Sequence, residues 1–373
     1  MPSIETRGHA SADAKGHAGP IRYAIIGAGM MGNEHIRNIA IIDGAEVVAA
    51  ADPHEGSRDW AKLTMEGKPI ELYADYRDLF AKPDSFDALI VATPNHTHKD
   101  VVEDALATGK HLLIEKPLCT TFDDCQWIEL AASTHPGVVW MGLEYRWMPP
   151  VTRFVDEIRA GAVGDVKMLT IREHRFPFLQ KVGDWNRFNR NSGGTLVEKS
   201  CHFFDLMRHI IGSEPRRVMA SGGQDVNHLD ESYDGKTPDI MDNAFVIVEF
   251  DNGVRACHEL CMFVTALEQR EHLTVTGTRG ALEVTIPQSE LAHTLNTGND
   301  TVRTHIDVDQ KVLDAGHHHG ASYYQHLAFQ DAIRSGTKPL VSVGDGLRSV
   351  AMGLAAHRSI EQGRIVDMSE FGL

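Results

Sequence analysis

Three glycines at fixed offsets follow a short apolar run near the start of the chain, in the stretch IRYAIIGAGMMG. Gly27, Gly29 and Gly32 have the spacing G-x-G-x-x-G. The first permits a tight turn after a strand, the second leaves no Cβ where a pyrophosphate would contact backbone, and the third lets a helix pack closely on the sheet. The first amides of that helix, at Met30 and Met31, would point at the phosphates. An ordinary glycine-rich turn could show the same triplet, so the flanking sequence decides.

The flanking sequence favours a dinucleotide-binding unit. A helical stretch, NEHIRNIAII, is followed by a second strand, Glu46–Ala51, and then by Asp52. Asp52 lies 20 residues after Gly32 (52 − 32), close to the ~20 expected for the acid that binds the adenosine ribose. A carboxylate there accepts hydrogen bonds from two ribose hydroxyls and repels a 2′-phosphate, so the sequence predicts NAD rather than NADP. The alternative is that Asp52 only begins an Asp-Pro turn.

Charge and cysteine content argue against several other functions. The 373 residues carry a net charge of −16, whereas nucleic acids and anionic membranes both require a basic face. The five cysteines are scattered and odd in number, which favours a reducing cytoplasm over a disulfide framework. Cys257 and Cys261 would share one face of a strand and His258 would face the other way, so we expect no metal site there.

The first twenty residues, MPSIETRGHASADAKGHAGP, show no periodicity and no apolar segment of the kind found in secretory signals. We predict a disordered lead-in over residues 1–20. The alternative is a functional arm that crosses to a neighbouring subunit. No apolar run along the chain approaches the ~20 residues needed to span a bilayer.

Alternating strand and helix patterns predict an α/β domain over residues 21–148. Amphipathic stretches separate short apolar runs, which is typical of a doubly wound parallel sheet, a Rossmann domain. Ligands bind such sheets beyond the carboxyl ends of the strands, so the residues after each strand are the candidates for function. The predicted strands are Tyr23–Ile26, Val47–Ala51, Ala88–Val91, His111–Ile114 and Val138–Met141.

Two short motifs follow predicted strands of this domain. Ala-Thr-Pro-Asn-His-Thr-His, which contains Thr93, Asn95 and His98, follows one strand, and Glu115-Lys116-Pro117 follows the next. Taken alone they could be a capped loop and a surface lysine. Together with G-x-G-x-x-G and Asp52, in this order, they resemble the glucose–fructose oxidoreductase / inositol dehydrogenase / MocA family, and the resemblance covers nearly the whole chain.

The resemblance implies functional roles for these residues. In that family the first half of the chain binds NAD or NADP, and the lysine of Glu-Lys-Pro lies beside both nicotinamide and substrate, a role that falls to Lys116. The predicted cofactor-binding residues are Gly27, Gly29, Met30, Met31, Gly32, Asp52, Thr93, Asn95, His98, Glu115 and Lys116.

Residues 149–373 are predicted to form a second, α+β domain. Pro149 and Pro150 mark its start, and strand-like segments separated by turns predict a mostly antiparallel sheet. The resemblance implies a large open sheet with one face over the cofactor and the other used for subunit contacts, and hence a homo-oligomer, either dimer or tetramer. The last predicted helices, which could return to pack on the first domain, are Ser322–Ser335 and Gly344–Gly363.

The segment GGTLVEKSCHFFD carries the second set of candidate catalytic residues. If it is helical, Glu198 and His202 share a face, and the carboxylate would orient the imidazole for acid–base catalysis; a surface ion pair is the alternative. The family has G-G-x-L-x-D-x-G-x-H-x-x-D here, so the resemblance implies that Glu198 and His202 are catalytic, together with Lys116. The chain departs from that pattern with Glu198 for aspartate, Ser200 for glycine and an extra Lys199, and these departures leave the substrate open.

Two further stretches supply candidate substrate contacts. In KVGDWNRFNRN the cations Lys181, Arg187 and Arg190 could receive an anionic sugar group, or could simply form a solvated loop. Because the side chains of neighbouring histidines diverge, we expect no metal site in the Gly-His-His-His-Gly stretch. The resemblance implies instead a loop that lines the substrate, with one histidine contacting its hydroxyls. The predicted substrate-binding residues are Tyr145, Trp185, Arg187, Lys199 and His318.

These observations predict an NAD-dependent oxidoreductase that acts on a sugar or polyol. His202, oriented by Glu198, would exchange the hydroxyl proton while Lys116 polarises the same oxygen. An alternative is an NAD-dependent glycoside hydrolase that works by transient oxidation, elimination, water addition and re-reduction, possibly on a sulfonated or carboxylated glycoside. A third hypothesis is a non-catalytic NAD-binding sensor, against which the presence of Lys116, Glu198 and His202 argues. The sequence leaves the sugar, the reaction direction and the subunit number open.

Overall fold

The computed structural model of the protein describes residues 19–298 and 300–373. The predicted lead-in over residues 1–20, and the alternative of an arm to a neighbouring subunit, therefore fall almost entirely outside the described residues. The remainder of the chain forms two sheets, of six and nine strands, each covered by helices.

The first sheet confirms the predicted doubly wound α/β fold. Its six strands are all parallel and lie in the order β3-β2-β1-β4-β5-β6. The short β3 lies at the sheet edge and is partly exposed, which explains why the apolar pattern does not predict it. The strands are β1 (Ile21–Ile26), β2 (Ala45–Ala51), β3 (Glu71–Tyr73), β4 (Ala88–Val91), β5 (His111–Glu115) and β6 (Val139–Gly142), and the helices are α1 (Met30–Ile39), α2 (Glu55–Thr64), α3 (Tyr76–Phe80), α4 (His98–Ala107) and α5 (Phe122–Ala132).

The second sheet confirms the predicted open, mostly antiparallel sheet. Its order is β14-β13-β12-β11-β7-β10-β9-β8-β15, and within the described residues β7 and β10 form its one parallel pair. The strands are β7 (Val166–His174), β8 (Pro215–Gly223), β9 (Asn243–Phe250), β10 (Arg255–Cys261), β11 (Glu271–Gly277), β12 (Gly280–Ile286), β13 (Glu290–Leu295), β14 (Thr301–His305) and β15 (Val366–Asp367). The helices are α6 (Pro149–Arg159), α7 (Asn189–Ser192), α8 (Thr195–Glu198), α9 (Cys201–Ile211), α10 (Gln310–Ala315), α11 (Ala321–Ser335) and α12 (Val343–Gln362).

The last two long helices join the two halves of the chain. Phe329 of α11 and Leu347 of α12 pack into the apolar core of the first sheet, whereas Met352 and Ala355 of α12 pack into the core of the second. Helix α12 begins with a capping box in which the side chains and amides of Ser342 and Asp345 bond reciprocally. The first sheet is therefore held against the second by helices from the end of the chain, which fixes the active-site residues of both.

The second sheet has one apolar buried face and one outer face. Along β9 the residues alternate between buried and exposed, as expected for a strand with one covered face. On β10, His258 is buried while Cys257 and Cys261 lie on the partly exposed side, as the alternation predicts. In the described ranges no cluster of three or more His, Cys, Asp or Glu side chains has the geometry to hold a metal ion. No described helix is both long enough and apolar enough to cross a membrane.

Candidate active site

The glycine loop leaves backbone open at the start of α1. Gly27 has a φ of +94°, and a Cβ there would lie 2.5 Å from the carbonyl oxygen of Ala92. A Cβ on Gly32 would lie 2.1 Å from the carbonyl oxygen of Gly27, so glycine is required for this close packing of helix on strand. A Cβ on Gly29, in contrast, would meet nothing within 4 Å. The space over Gly29, at the N-terminal end of a ten-residue helix, is the cradle that a pyrophosphate requires.

Asp52 stands at the carboxyl end of β2, where the ribose of a dinucleotide would lie. One carboxylate oxygen accepts the Ala28 N–H at 2.8 Å and the other accepts the His54 N–H at 2.8 Å. The backbone thus fixes the orientation of the acid beside the glycine loop. The residues present fit NAD: Gly29 and the amides of Met30 and Met31 would face the phosphates, and Asp52 would accept bonds from the ribose hydroxyls.

Lys116 links the two domains at the carboxyl end of β5. Its ammonium group donates to the backbone oxygen of Glu198 at 3.0 Å and lies 3.4 Å from the carboxylate of the same residue. Burial alone would lower the pKa of Lys116, but the carboxylate of Glu198 more than offsets this and the pKa is raised. Lys116 is therefore a nearly buried, protonated donor.

The prediction that Glu198 and His202 share one helical face is wrong. The helix is interrupted here, because α8 ends at Glu198 and α9 begins only at Cys201. The side chain of Glu198 is instead held from the first domain, by the amide of Asn95 and by Lys116. Nδ1 of His202 is buried and has no hydrogen-bond partner among the described residues, so Glu198 does not orient this imidazole by a direct bond.

His202 is held by ring packing rather than by a carboxylate. Its imidazole is stacked on the phenol ring of Tyr145, with ring centroids 3.9 Å apart and planes within 8°. Burial, followed by the positive charges of Lys116 and Lys199, holds the pKa of His202 well below its usual range. The imidazole is consequently neutral at pH 7 and can accept a proton.

Lys199, one of the departures from the family pattern, lies beneath this stack. Its ammonium group donates to the Tyr145 hydroxyl at 2.6 Å and forms an ion pair with Glu173 at 2.9 Å. Burial lowers the pKa of Lys199 to about 8 in spite of the opposing effect of Glu173. Glu173, near the end of β7, was not predicted to belong to the site. It lies two residues after Ile171 and therefore points to the same buried side of the strand.

His318 is bound to two acids that the sequence analysis also missed. Its Nδ1 lies 2.8 Å from Glu34 and 3.4 Å from Glu144, and the Ser322 hydroxyl lies within hydrogen-bond distance of both acids. Burial alone would lower the pKa of His318, but the carboxylates of Glu144 and Glu34 outweigh it and raise the pKa to about 9. The rings of His318 and Tyr145 are 6.3 Å apart, so this cation lies on the same side of the site as the stack. Glu144 follows β6 by two residues, and the rule that ligands lie beyond strand ends would have found it.

Two side chains predicted to contact the cofactor hold loops of the protein together. His98 is fully buried, and its two ring nitrogens contact the backbone oxygens of Thr93 and Pro117. Both bonds of the Asn95 amide go to the second domain, to Glu198 and to the backbone of Ser192. The side chains of His98 and Asn95 therefore already have backbone and interdomain partners, and their contact with the cofactor stays a prediction.

Glu115 belongs to a buried network rather than to an open surface. It lies 3.0 Å from Nε2 of His35 on α1, and Nδ1 of His35 lies 2.8 Å from His326 on α11. Glu115 also accepts the Lys116 N–H. Its buried carboxylate thus positions the lysine turn against α1, and direct contact of Glu115 with the cofactor stays a prediction.

The predicted cluster of cations is dispersed. Arg187 is buried and pairs with Glu231 at 3.1 Å, away from Lys116, and Arg190 is exposed over the ring of Phe188. Because Glu231 already neutralises Arg187, the ion pair argues against an anionic sugar group at this position, and substrate binding by Arg187 stays a prediction. The ring of Trp185 lies 6.2 Å from that of His96, at the edge of the first domain.

The site thus combines a nucleotide cradle with a cationic donor and a neutral acceptor. Lys116 is protonated and His202 is neutral, and both lie where the carboxyl edge of the first sheet meets the second domain. A protonated donor and a neutral base at one site suit the movement of a hydroxyl proton while the oxygen is polarised.

Two family models match the chain over most of its length. The one described as "Oxidoreductase family, NAD-binding Rossmann fold" matches residues 21–143, and the one described as "Oxidoreductase family, C-terminal alpha/beta domain" matches residues 155–368. The first match establishes the NAD-binding character of the domain that carries the glycine loop.

Individual relatives match over most of their own length. Myo-inositol 2-dehydrogenase of Thermotoga maritima is 27% identical over 356 residues, which are 94% of this chain and 99% of the relative. The 2,7-anhydro-N-acetylneuraminate hydratase of Escherichia coli is 27% identical over 284 residues, 75% of this chain and 71% of the relative. Among solved structures, levoglucosan dehydrogenase in complex with NADH shares the fold with a TM-score of 0.82 at 18% identity, over 94% of this chain and 99% of that one.

The two matched domains are consistent with the parallel sheet, its glycine loop and the Glu-Lys-Pro turn. The chain therefore belongs to the glucose–fructose oxidoreductase / inositol dehydrogenase / MocA family of NAD-binding oxidoreductases.

Proposed function

We propose that this oxidoreductase transfers hydride between NAD and a hydroxyl-bearing carbon of a sugar or polyol. The observation that carries the proposal is the pairing of Lys116, from the first domain, with Glu198, which lies four residues before His202 in the second. It gives one site with a fixed cation and a neutral imidazole, as oxidation of an alcohol requires. The name of the Thermotoga maritima relative, a myo-inositol 2-dehydrogenase, supports a polyol or sugar substrate.

Each side chain has a separate task in this proposal. NAD supplies the hydride acceptor or donor when it is bound. Lys116 donates a hydrogen bond to the reacting oxygen and stabilises negative charge on it. His202 accepts the hydroxyl proton on its neutral imidazole. Glu198 holds the ammonium of Lys116 in place.

The remaining predicted residues surround the substrate. The phenol ring of Tyr145 stacks on the imidazole of His202. Lys199 holds this phenol in place by donating a hydrogen bond to its hydroxyl. His318, protonated between two acids, can donate to a substrate hydroxyl through Nε2. Trp185 closes the edge of the site next to the first domain.

A redox-neutral reaction is the second candidate. It is supported by the relatives named 2,7-anhydro-N-acetylneuraminate hydratase and by Lys199, whose pKa is lowered to about 8. A lysine that can give up and regain a proton close to neutral pH, beside Tyr145, supplies the extra acid–base groups that elimination and water addition need. In this candidate hydride leaves the substrate and returns within one turnover, so a glycosidic bond is cleaved without net NADH.

We also propose that the chain forms a homo-oligomer in the cytoplasm. The outer face of the second sheet exposes a row of side chains that lie side by side across β8, β9 and β10, namely Met219, Ile247 and Cys257, next to a Phe245 side chain that is 59% exposed. An apolar face of this kind is typical of a subunit interface. The free cysteines fit a reducing compartment.

The experiment that tests the main proposal is a substrate screen. The purified protein is offered polyols with NAD and keto-sugars with NADH, and NADH absorbance is followed, with the Lys116→Met variant as the control. Turnover that depends on Lys116 supports the proposal. Absence of turnover with every compound, combined with release of chromophore from aryl glycosides and solvent-deuterium exchange at C2, supports the redox-neutral candidate instead.

A further inference from the structure

A cavity of about 550 Å³, wide open to solvent, lies in the second domain. Its first wall is the loop after β7, in which residues 176–180 line the cavity. The two residues that flank this stretch lie next to the active site: Arg175 is 3.6 Å from Glu173, the acid that pairs with Lys199, and Lys181 interacts electrostatically with Glu198. One loop therefore borders the reaction centre at both of its ends and the cavity along its middle.

The cavity presents aromatic surface together with a few polar groups. Phe176 and Phe178 are only partly buried, and they face a polar wall made by Arg187, His228 and Glu231. Aromatic and apolar lining with a small number of convergent polar groups is the usual composition of a site for a small organic ligand. A pyranose ring has the matching surface, because its C–H face packs on an aromatic ring while its hydroxyls form hydrogen bonds.

The polar wall carries no free charge. Nε of Arg187 donates to one oxygen of Glu231 at 3.1 Å, and Nδ1 of His228 lies 2.8 Å from the other. The guanidinium also donates to the backbone oxygen of Phe178. Because the one carboxylate neutralises the one guanidinium, the cavity favours an uncharged ligand over an anionic one.

His228 supplies an independent sign of a ligand site. Its φ is +63°, in the left-handed region that residues other than glycine rarely adopt. Its side chain is only 8% exposed, and Nε2 is buried without a hydrogen-bond partner among the described residues. Backbone outliers and unsatisfied buried polar atoms concentrate at ligand sites, because the strain is retained there for function.

We propose that this cavity is a subsite for a second, uncharged sugar ring, so that the substrate is a glycoside or oligosaccharide rather than a free monosaccharide or inositol. The reacting ring lies at Lys116 and His202, the loop after β7 passes under the glycosidic bond, and the second ring packs against Phe178 with its hydroxyls on Arg187 and Glu231. The inference deepens the proposed function and rests on it for the reacting ring.

The test combines binding with turnover in the NAD-loaded enzyme. Saturation-transfer NMR is recorded with cellobiose, maltose and lactose, and with glucose for comparison, and kcat/KM is measured for the same sugars. We expect the non-reacting ring of at least one disaccharide to receive saturation. We also expect that disaccharide to exceed glucose in kcat/KM by roughly tenfold, a preference that the Phe178→Leu variant reduces. The matched control is Phe80→Leu, which changes another partly buried phenylalanine, on α3, and should leave the ratio of disaccharide to glucose unaltered.

A second variant tests the charge argument. Glu231→Gln keeps the shape of the acid but leaves Arg187 without its counter-ion, so binding of a disaccharide whose non-reacting ring is glucuronic acid should strengthen relative to cellobiose by roughly tenfold. The proposal is overturned if no disaccharide receives saturation in its second ring, or if Phe178→Leu and Phe80→Leu alter the ratio equally. Binding of disaccharides without any NAD turnover would instead refute the proposed function and leave the subsite standing.

Discussion

Replacing Lys116 by methionine removes the cation on which the proposed reaction depends, at little cost in volume. The ammonium group lies 3.4 Å from the carboxylate of Glu198, so at an effective dielectric constant of about 20 their attraction is about 5 kcal/mol. Desolvation of both groups opposes this attraction, and their side chains keep 15 and 10% of their surface exposed. We therefore expect the substitution to lower the free energy of unfolding by only about 2 kcal/mol.

The effect of this substitution on catalysis should be larger than its effect on stability. Loss of a positioned donor to a developing oxyanion costs about 10²- to 10³-fold in rate, so kcat/KM should fall by that factor while the Kd of NAD changes little. The positive charge of Lys116 also helps to lower the pKa of His202, so the residual activity should depend on a group that titrates at higher pH than in the wild type. The assay is kcat/KM against pH, with thermal melting as a check on folding. An exposed lysine, Lys311, changed to methionine is the control.

The reasoning fails if Lys116→Met retains kcat/KM within about fivefold of the wild type. It also fails if the loss is accounted for by unfolding, which a melting temperature far below that of the Lys311→Met control would reveal.

Three other perturbations have defined outcomes. Asp52→Ser removes the carboxylate that accepts the Ala28 N–H and should lower kcat/KM for NAD by roughly tenfold while raising the preference for NADP, as measured with each cofactor in turn; an unchanged cofactor ratio would contradict the ribose assignment. His318 has a folded-state pKa raised to about 9, against about 6.5 when unfolded. Its contribution, at most about 3 kcal/mol, is therefore complete below about pH 6.5 and disappears as the pH rises through 9. His318→Gln should accordingly melt well below the wild type at acidic pH and nearly with it above pH 9, and a pH-independent difference would refute the ion pair. Phe245→Glu places a charge on the outer sheet face and should shift the protein to monomer in light scattering, whereas an unaltered mass would exclude this face as an interface.

Local patterns predicted the fold well where a strand is buried on both faces. The apolar runs that became β1, β4 and β5 were recognisable because a central parallel strand has no exposed side. The edge strand β3 and the strand β14, which is exposed throughout, carry no such signal. Their pairing depends on the neighbouring strands, and this information is not present in their own residues.

The site was predicted less completely because side-chain partners depend on contacts between distant elements. The spacing of Glu198 and His202 suggested one helix, but Asn95 and Lys116, about eighty or more residues earlier in the chain, hold the carboxylate away from the ring. Arg187 was likewise predicted to be available to an anionic ligand, but in the structure it forms an ion pair with Glu231. Residue spacing along one helix predicts which side chains are neighbours on that helix. It does not predict contacts with residues that are distant in the sequence.

Helix α1 contacts both the predicted cofactor site and the residues proposed to bind the substrate. Its N-terminus faces the space over Gly29, while Glu34 binds His318 and His35 contacts Glu115 within the next two turns. Any movement of this one rigid helix on cofactor binding must displace the groups that receive the substrate. We therefore expect the two affinities to be thermodynamically coupled, and the coupling must be reciprocal: substrate tightens NAD by the same factor by which NAD tightens substrate. Glu34→Gln, which changes no residue that contacts the nucleotide, should reduce both factors together.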